Sequence, residues 1–170
     1  ELDTNQCKKV IDQIAEVNPN AFLILTGGEP LLRPDIYELI RYAADKKFMV
    51  VLGTNGTLIN EVNAKKIKAA GAHGVGISID SMDATKHNKF RGVSGAWEHS
   101  MEAFNVLNEV GVDFLIQMSV SDMNYREIPD VVAFTEKIGA IAFNLYFLVC
   151  TGRGQGNTDI SNEAYEEALK

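Results

Sequence analysis

The sequence predicts an α/β fold on a parallel sheet that closes into a barrel, or into part of one. Three observations predict it: helical and strand patterns alternate along the chain, several strands are polar on one face, and successive strands end in glycine-rich polar turns. Strict alternation calls for parallel strands joined by right-handed helical crossovers. A strand covered by helices on both faces is apolar almost throughout. Here Gly76, Ser78 and Asp80 share one face, as do Gln117, Ser119 and Ser121, because side chains alternate with period two. Polar groups on a buried face need partners. A barrel interior wide enough for a polar ligand supplies them, which favours a barrel over a flat doubly wound sheet.

The elements follow in order. Cys7, Val10, Ile11 and Ile14 fall at helical spacing between Asp3 and Val17, with Asp3 or Thr4 as cap and Asn18-Pro19-Asn20 as breaker. Ala21 to Leu25 reads as a short buried strand. Pro34 opens a helix carrying Ile36, Leu39, Ile40 and Ala43. Phe48 to Leu52 is the next strand, and Asn60 and Gly71 bound the next helix. Gly74 to Asp80 is a strand, followed by a polar connection from Met82 to Val93. Trp97, Met101, Phe104 and Leu107 mark a helix closed by Gly111. Asp113 to Ser121 is a strand, Pro129 begins a helix reaching Ile138, and Ile141 to Val149 is the last strand. Gly152 to Gly156 form a glycine-rich loop, and Ser161 caps a final helix that runs to Lys170. No linker interrupts the pattern, so residues 1–170 read as one domain.

Composition narrows the function classes. The chain has 170 residues, 46% hydrophobic and 23% charged, with 23 acids against 16 bases and a net charge of -7. That balance suits neither a sequence-independent nucleic-acid binder nor an anionic membrane surface. No apolar run approaches the roughly 20 residues that span a bilayer. Two cysteines, Cys7 and Cys150, are too few for a disulfide framework, which points to a reducing, cytoplasmic setting.

Three strand ends carry the chemistry: Leu25-Thr26-Gly27-Gly28-Glu29-Pro30, Thr54-Asn55-Gly56-Thr57 and Ser78-Ile79-Asp80. Ligands of barrels built this way sit where strands lead into helices. Each stretch alone is an ordinary turn or a satisfied hydrogen-bond pair; their recurrence at consecutive strand ends points to one shared site. The histidines His73, His87 and His99 show no ligand spacing and read as surface or loop residues.

Taken together, LTGGEPLL at Leu25 to Leu32, TNGTLI at Thr54 to Ile59, SID at Ser78 to Asp80 and HNKFRG at His87 to Gly92 resemble, in order, the stations of the radical S-adenosylmethionine (SAM) enzymes. The resemblance runs from about Leu2 to at least Gly154. It is strongest to the branch with sulfatase-maturing, coenzyme-PQQ peptide-modifying and heme-biosynthetic members. It implies a partial (β/α)6 TIM-like barrel. It also implies SAM as cofactor beside a four-iron four-sulfur (4Fe-4S) cluster, a 5′-deoxyadenosyl radical formed by reductive cleavage of SAM, and oxidoreductase or activase chemistry beginning with hydrogen abstraction. By the same resemblance Gly27, Gly28 and Glu29 hold the methionyl amino group, and Ser78 and Arg91 receive the carboxylate, for which an arginine fork is suited. Asp80 with Asn55 lies near the ribose, and Gln117 reaches ribose or substrate. The implied partners are a small-molecule or peptide substrate and a reductant protein such as a ferredoxin or flavodoxin, with neither nucleic acid nor membrane.

The CxxxCxxC loop that carries such a cluster on thiolates is not in these residues. The expectation is therefore a barrel fragment lacking its first strand (strands two to six of the family fold), truncated at both ends and inactive by itself. Cys7 sits on an apolar helical face, and Cys150 ends the last strand, facing the substrate mouth at most; together they make no cluster site. Two other readings stay open. One is a non-catalytic nucleotide-binding or scaffold protein that has lost the cluster loop. The other is an unrelated barrel enzyme gripping phosphate at Gly152 to Gly156.

Overall fold

The computed structural model describes residues 2–148 and 160–168. Helix α1 (Thr4–Val17) starts at a capping box: the Asp3 carboxylate accepts the Gln6 N–H at 2.8 Å, and the Gln6 side chain accepts the Asp3 N–H at 2.9 Å. Strand β1 (Phe22–Leu25) leads into a single 3-10 turn at Pro30–Leu32, and α2 (Ile36–Asp45) begins two residues after Pro34. Next come β2 (Met49–Thr54) and α3 (Glu61–Ala70). The latter is capped by the Asn60 side chain and stopped by Gly71 at φ 89°, a left-handed value that a side chain would strain. The chain continues as β3 (Gly74–Ser78), α4 (Ala84–Arg91), α5 (Ala96–Val110), β4 (Phe114–Val120), α6 (Ile128–Ile138), β5 (Phe143–Phe147) and α7 (Asn162–Ala168).

Helix α4 corrects the reading of Met82 to Val93 as a polar connection. Its sequence has no apolar stripe, and His87 is its only buried residue. The helix is specified by its ends instead: the Asp83 carboxylate accepts the Lys86 N–H, and Gly92 turns left-handed at φ 68°. The calls on Val149, Cys150 and the loop Gly152 to Gly156 lie outside the described residues.

All strands run parallel in the order β1-β2-β3-β4-β5. This order has no reversal, so the crossovers share one hand and the helices one face, and the sheet curls into a half-barrel. A doubly wound sheet would instead reverse direction at a switch point. Val50, Leu52, Val75, Ile77, Phe114, Ile116, Met118 and Val120 pack with the helices in one core. The residues between them turn to the concave face: Val51 and Gly53, Gly76 and Ser78, Leu115, Gln117 and Ser119, then Asn144 and Tyr146. The register sets Gly53 beside Gly76, Ser78 beside Gln117, and Gln117 beside Asn144. No helix among the described residues is long and apolar enough to cross a membrane.

Candidate cofactor site at the strand ends

A cleft of about 170 Å³ opens at the C-terminal ends of β1 to β4, lined by Thr26, Gly27, Gly28, Gly53, Thr54, Asn55, Ser78, Arg91 and Gln117. Six of the eight residues expected at a site therefore meet here. Glu29 and Asp80 do not line the cleft; they hold its walls.

Glu29 joins the first two strand ends. Its carboxylate accepts the Leu31 N–H at 3.1 Å, the Thr54 hydroxyl at 2.7 Å and the Asn55 N–H at 2.9 Å. Asn55 in turn accepts the Thr57 N–H and hydroxyl, which shapes the turn after β2. Thr26 donates its hydroxyl to the Gly53 carbonyl at 3.3 Å, and a Cβ on Gly53 would come within 3.2 Å of that oxygen. Gly53 thus lets the two strand ends approach. Gly76 does the same for β4: the Gln117 amide lies over it, 3.0 Å from where a Cβ would stand, and donates to the Tyr146 hydroxyl at 3.3 Å.

Gly27 and Gly28 differ from these. A Cβ on either would meet nothing within 4 Å, and neither has left-handed backbone. Protein packing and conformation leave both positions open to an added Cβ, although glycine carries an entropic penalty of about 0.5–1 kcal/mol. What glycine supplies there is bare main chain facing open space in the cleft.

Asp80 joins the third and fourth strand ends and is 1% exposed. One carboxylate oxygen accepts the Ser119 N–H at 2.9 Å; the other lies 2.5 Å from Arg91 Nε. The second contact is a close charge pairing rather than an aligned hydrogen bond; both of its atoms are buried and make no hydrogen bond, and His87 Nδ1 lies 3.9 Å from the same carboxylate oxygen. The main chain of Asp80 is gripped as well. Its N–H donates to His87 Nδ1 at 3.2 Å, and its carbonyl accepts Asn124 Nδ2 at 2.8 Å. Asn124 also donates to the Ser119 carbonyl and accepts the Ser121 N–H, so one buried amide closes the ends of β3 and β4.

His87 is accordingly not the surface residue expected. It is 1% exposed, and burial pushes its imidazole below the usual value, with Arg91 acting the same way and Asp80 and Glu98 opposing. A neutral ring is what its Nδ1 needs to accept a main-chain N–H. His73 and His99 are exposed as expected. Glu127, unmarked in the sequence, accepts the Ser81 hydroxyl and the Met82 N–H and pairs with Lys86 at 2.7 Å. Burial works to raise its pKa, but these partners outweigh it and hold the carboxyl below its ordinary value.

A larger groove of about 510 Å³ lies between α3 and α5, lined by Glu61, Lys65, Lys68, Ala69, Glu109 and Val110. It sits on the outer helical layer, away from the strand ends, and its Lys65 and Lys68 are already engaged by Glu61 and the Val110 carbonyl. Among the described residues no group of three or more His, Cys, Asp or Glu could hold a metal ion, and Cys7 packs half-buried against the core.

The profile of the Radical SAM superfamily matches residues 1–135. The chain belongs to the radical SAM superfamily. Among its relatives, the AdoMet-dependent heme synthase of Nitratidesulfovibrio vulgaris is 43% identical over 99% of this chain and 46% of its own length. The AdoMet-dependent heme synthase of Methanosarcina barkeri is 40% identical over 99% of this chain and 48% of its own. The chain thus spans about half the length of the curated relatives it matches. Among solved structures, Streptococcus suis SuiB bound to S-adenosylmethionine superposes with a TM-score of 0.80 at 19% identity, over 99% of this chain and 40% of that one. At that identity the superposition shows a shared fold. The family match spans the first four strands and their ends, so the barrel is not an unrelated one.

Proposed function

We propose that this chain forms the SAM seat of a radical SAM enzyme. The observation that carries the reading is the pair Gly27 and Gly28: glycines that neither packing nor backbone conformation requires, opposite an arginine that lines the same cleft. Their main chain, with the turn fixed by the Glu29 carboxylate, faces the methionyl amino group. Ser78 and Arg91 receive the methionyl carboxylate, to which a guanidinium offers two parallel donors. Asn55 and Gln117 serve the ribose end. The donor set suits a zwitterionic amino acid joined to a sugar. In enzymes of this superfamily SAM supplies hydrogen-abstracting chemistry once a 4Fe-4S cluster has delivered an electron. The described residues contribute the seat for SAM and not the ligands of the cluster.

The substrate class we favour is a small molecule of the tetrapyrrole kind, since heme synthases match this chain at 43% and 40% identity; a peptide substrate is the second reading. A reductant protein of the ferredoxin or flavodoxin type completes the system. The test is isothermal titration of this chain with S-adenosylhomocysteine, with and without excess inorganic phosphate. Saturable binding that phosphate leaves unchanged supports the reading. Absence of binding favours a scaffold that has lost cofactor affinity, and competition by phosphate favours a phosphate-gripping site.

A further inference from the structure

We infer that Asp80 is a positioning residue for Arg91, with His87 and Asn124 fixing Asp80 in turn, and that it makes no contact with the cofactor's sugar. The inference rests on the SAM-seat reading above. Three observations carry it. First, Asp80 does not line the cleft, and its carboxylate is used up inside the protein, by the Ser119 N–H at 2.9 Å and by Arg91 Nε at 2.5 Å. Second, the pairing uses Nε, the atom nearest the stem of the guanidinium. The two terminal nitrogens have no described protein partner and belong to a side chain that lines the cleft and is 27% exposed. A fork held at its base presents its prongs in one orientation, which is what bidentate recognition of a carboxylate requires. Third, Asp80 itself has no freedom: His87 takes its N–H and Asn124 its carbonyl, both from buried positions. The line of support runs from Asn124 and His87 through Asp80 to Arg91, and only Arg91 meets the ligand.

The test compares two ligands that share adenine and ribose. S-adenosylhomocysteine has the amino-acid carboxylate; 5′-methylthioadenosine lacks it. Titrations are made on wild type, Asp80→Asn, Arg91→Gln and the double variant, with circular dichroism confirming that each is folded. Asp80→Asn keeps the acceptor for Ser119 and removes the charge that holds Nε. We expect it to weaken S-adenosylhomocysteine by about 10- to 100-fold, the cost of a guanidinium no longer held in one orientation. It leaves 5′-methylthioadenosine within about twofold, a shift too small to mark a lost hydrogen bond. In the Arg91→Gln background the same change has no further effect, because the residue it positions is gone. Equal weakening of both ligands, or additive losses in the double variant, would place Asp80 on the sugar and overturn the inference. Failure of wild type to bind either ligand would remove the SAM-seat reading itself. Should Asp80→Asn not fold, Asn124→Asp, which replaces the amide donor with a carboxylate oxygen, is read with the same ligand pair and is expected to discriminate between them in the same direction.

Discussion

Replacing Gly28 by alanine moves stability and binding in opposite directions. An added Cβ meets no atom within 4 Å, and the backbone is not left-handed, so the folded chain accepts it without strain. The unfolded chain loses conformational freedom, which stabilises the protein by about 0.4–1 kcal/mol. For a chain of this size that raises Tm by about 1–4 °C. The ligand-bound state responds the other way, because the methyl occupies the space through which the ligand reaches the main chain. S-adenosylhomocysteine affinity is expected to fall at least about tenfold, equivalent to about 1.4 kcal/mol. Gly71→Ala is the control: φ is 89° and its Cβ would stand 3.0 Å from Ala44 Cβ, so stability falls while binding holds. Differential scanning calorimetry and titration read the two effects separately. A lower Tm for Gly28→Ala, or unchanged binding, would show that glycine is needed there for the fold and refute the reasoning.

Two further predictions follow from the groups around the cleft. Glu29→Gln keeps an oxygen for Leu31 and Thr54 but turns the amide NH2 toward the Asn55 N–H, so two donors face each other and one is stranded. Loss of a charge-assisted bond costs about 2–3 kcal/mol, read as a lower urea midpoint, and loss of binding without loss of stability would instead put the carboxylate on the ligand. Stability against pH should fall in two phases. Burial depresses the folded His87 pKa, so the unfolded state binds a proton first as pH drops through its ordinary value of 6.5, and stability declines from there. Glu127 is depressed by its partners despite burial, so its contribution is present above 4.5 and is lost as pH falls below that value toward the folded pKa. His87→Gln should abolish the upper phase and spare the lower; an upper phase that survives assigns it to another group.

Much of the fold was legible because it is written in local pattern. The strands of the sheet and the caps Asp3, Asn60 and Gly71 follow from periodicity and end chemistry. Six of the residues that line the cleft stood out in the sequence because glycine and polar residues recur at consecutive strand ends. Helix α4 was missed because it offers the core a single histidine. The supports were missed for a different reason. Asn124 meets Asp80 across 44 residues and Glu127 meets Ser81 across 46, so nothing near either residue in the chain marks its partner. Glu29 and Asp80 were expected on the ligand, and the structure turns their carboxylates to groups of the cleft walls. A carboxylate at a strand end reads the same whether it faces a ligand or holds the wall behind one, and only the count of occupied oxygens separates the two.

The split of each strand between core and cleft has an evolutionary consequence. Ile77 and Ser78 are neighbours, as are Ile116 and Gln117, yet the first of each pair answers to packing and the second to whatever occupies the concave side. Selection on the two demands therefore acts on interleaved positions that share no side-chain contact surface. A lineage can retune odd or even residues of a strand for a new chemistry while the alternate set goes on holding the helices, so long as no insertion shifts the phase. In a saturation mutagenesis map, β3 and β4 should show that as a two-residue beat, with stability scores and binding scores peaking on alternate positions.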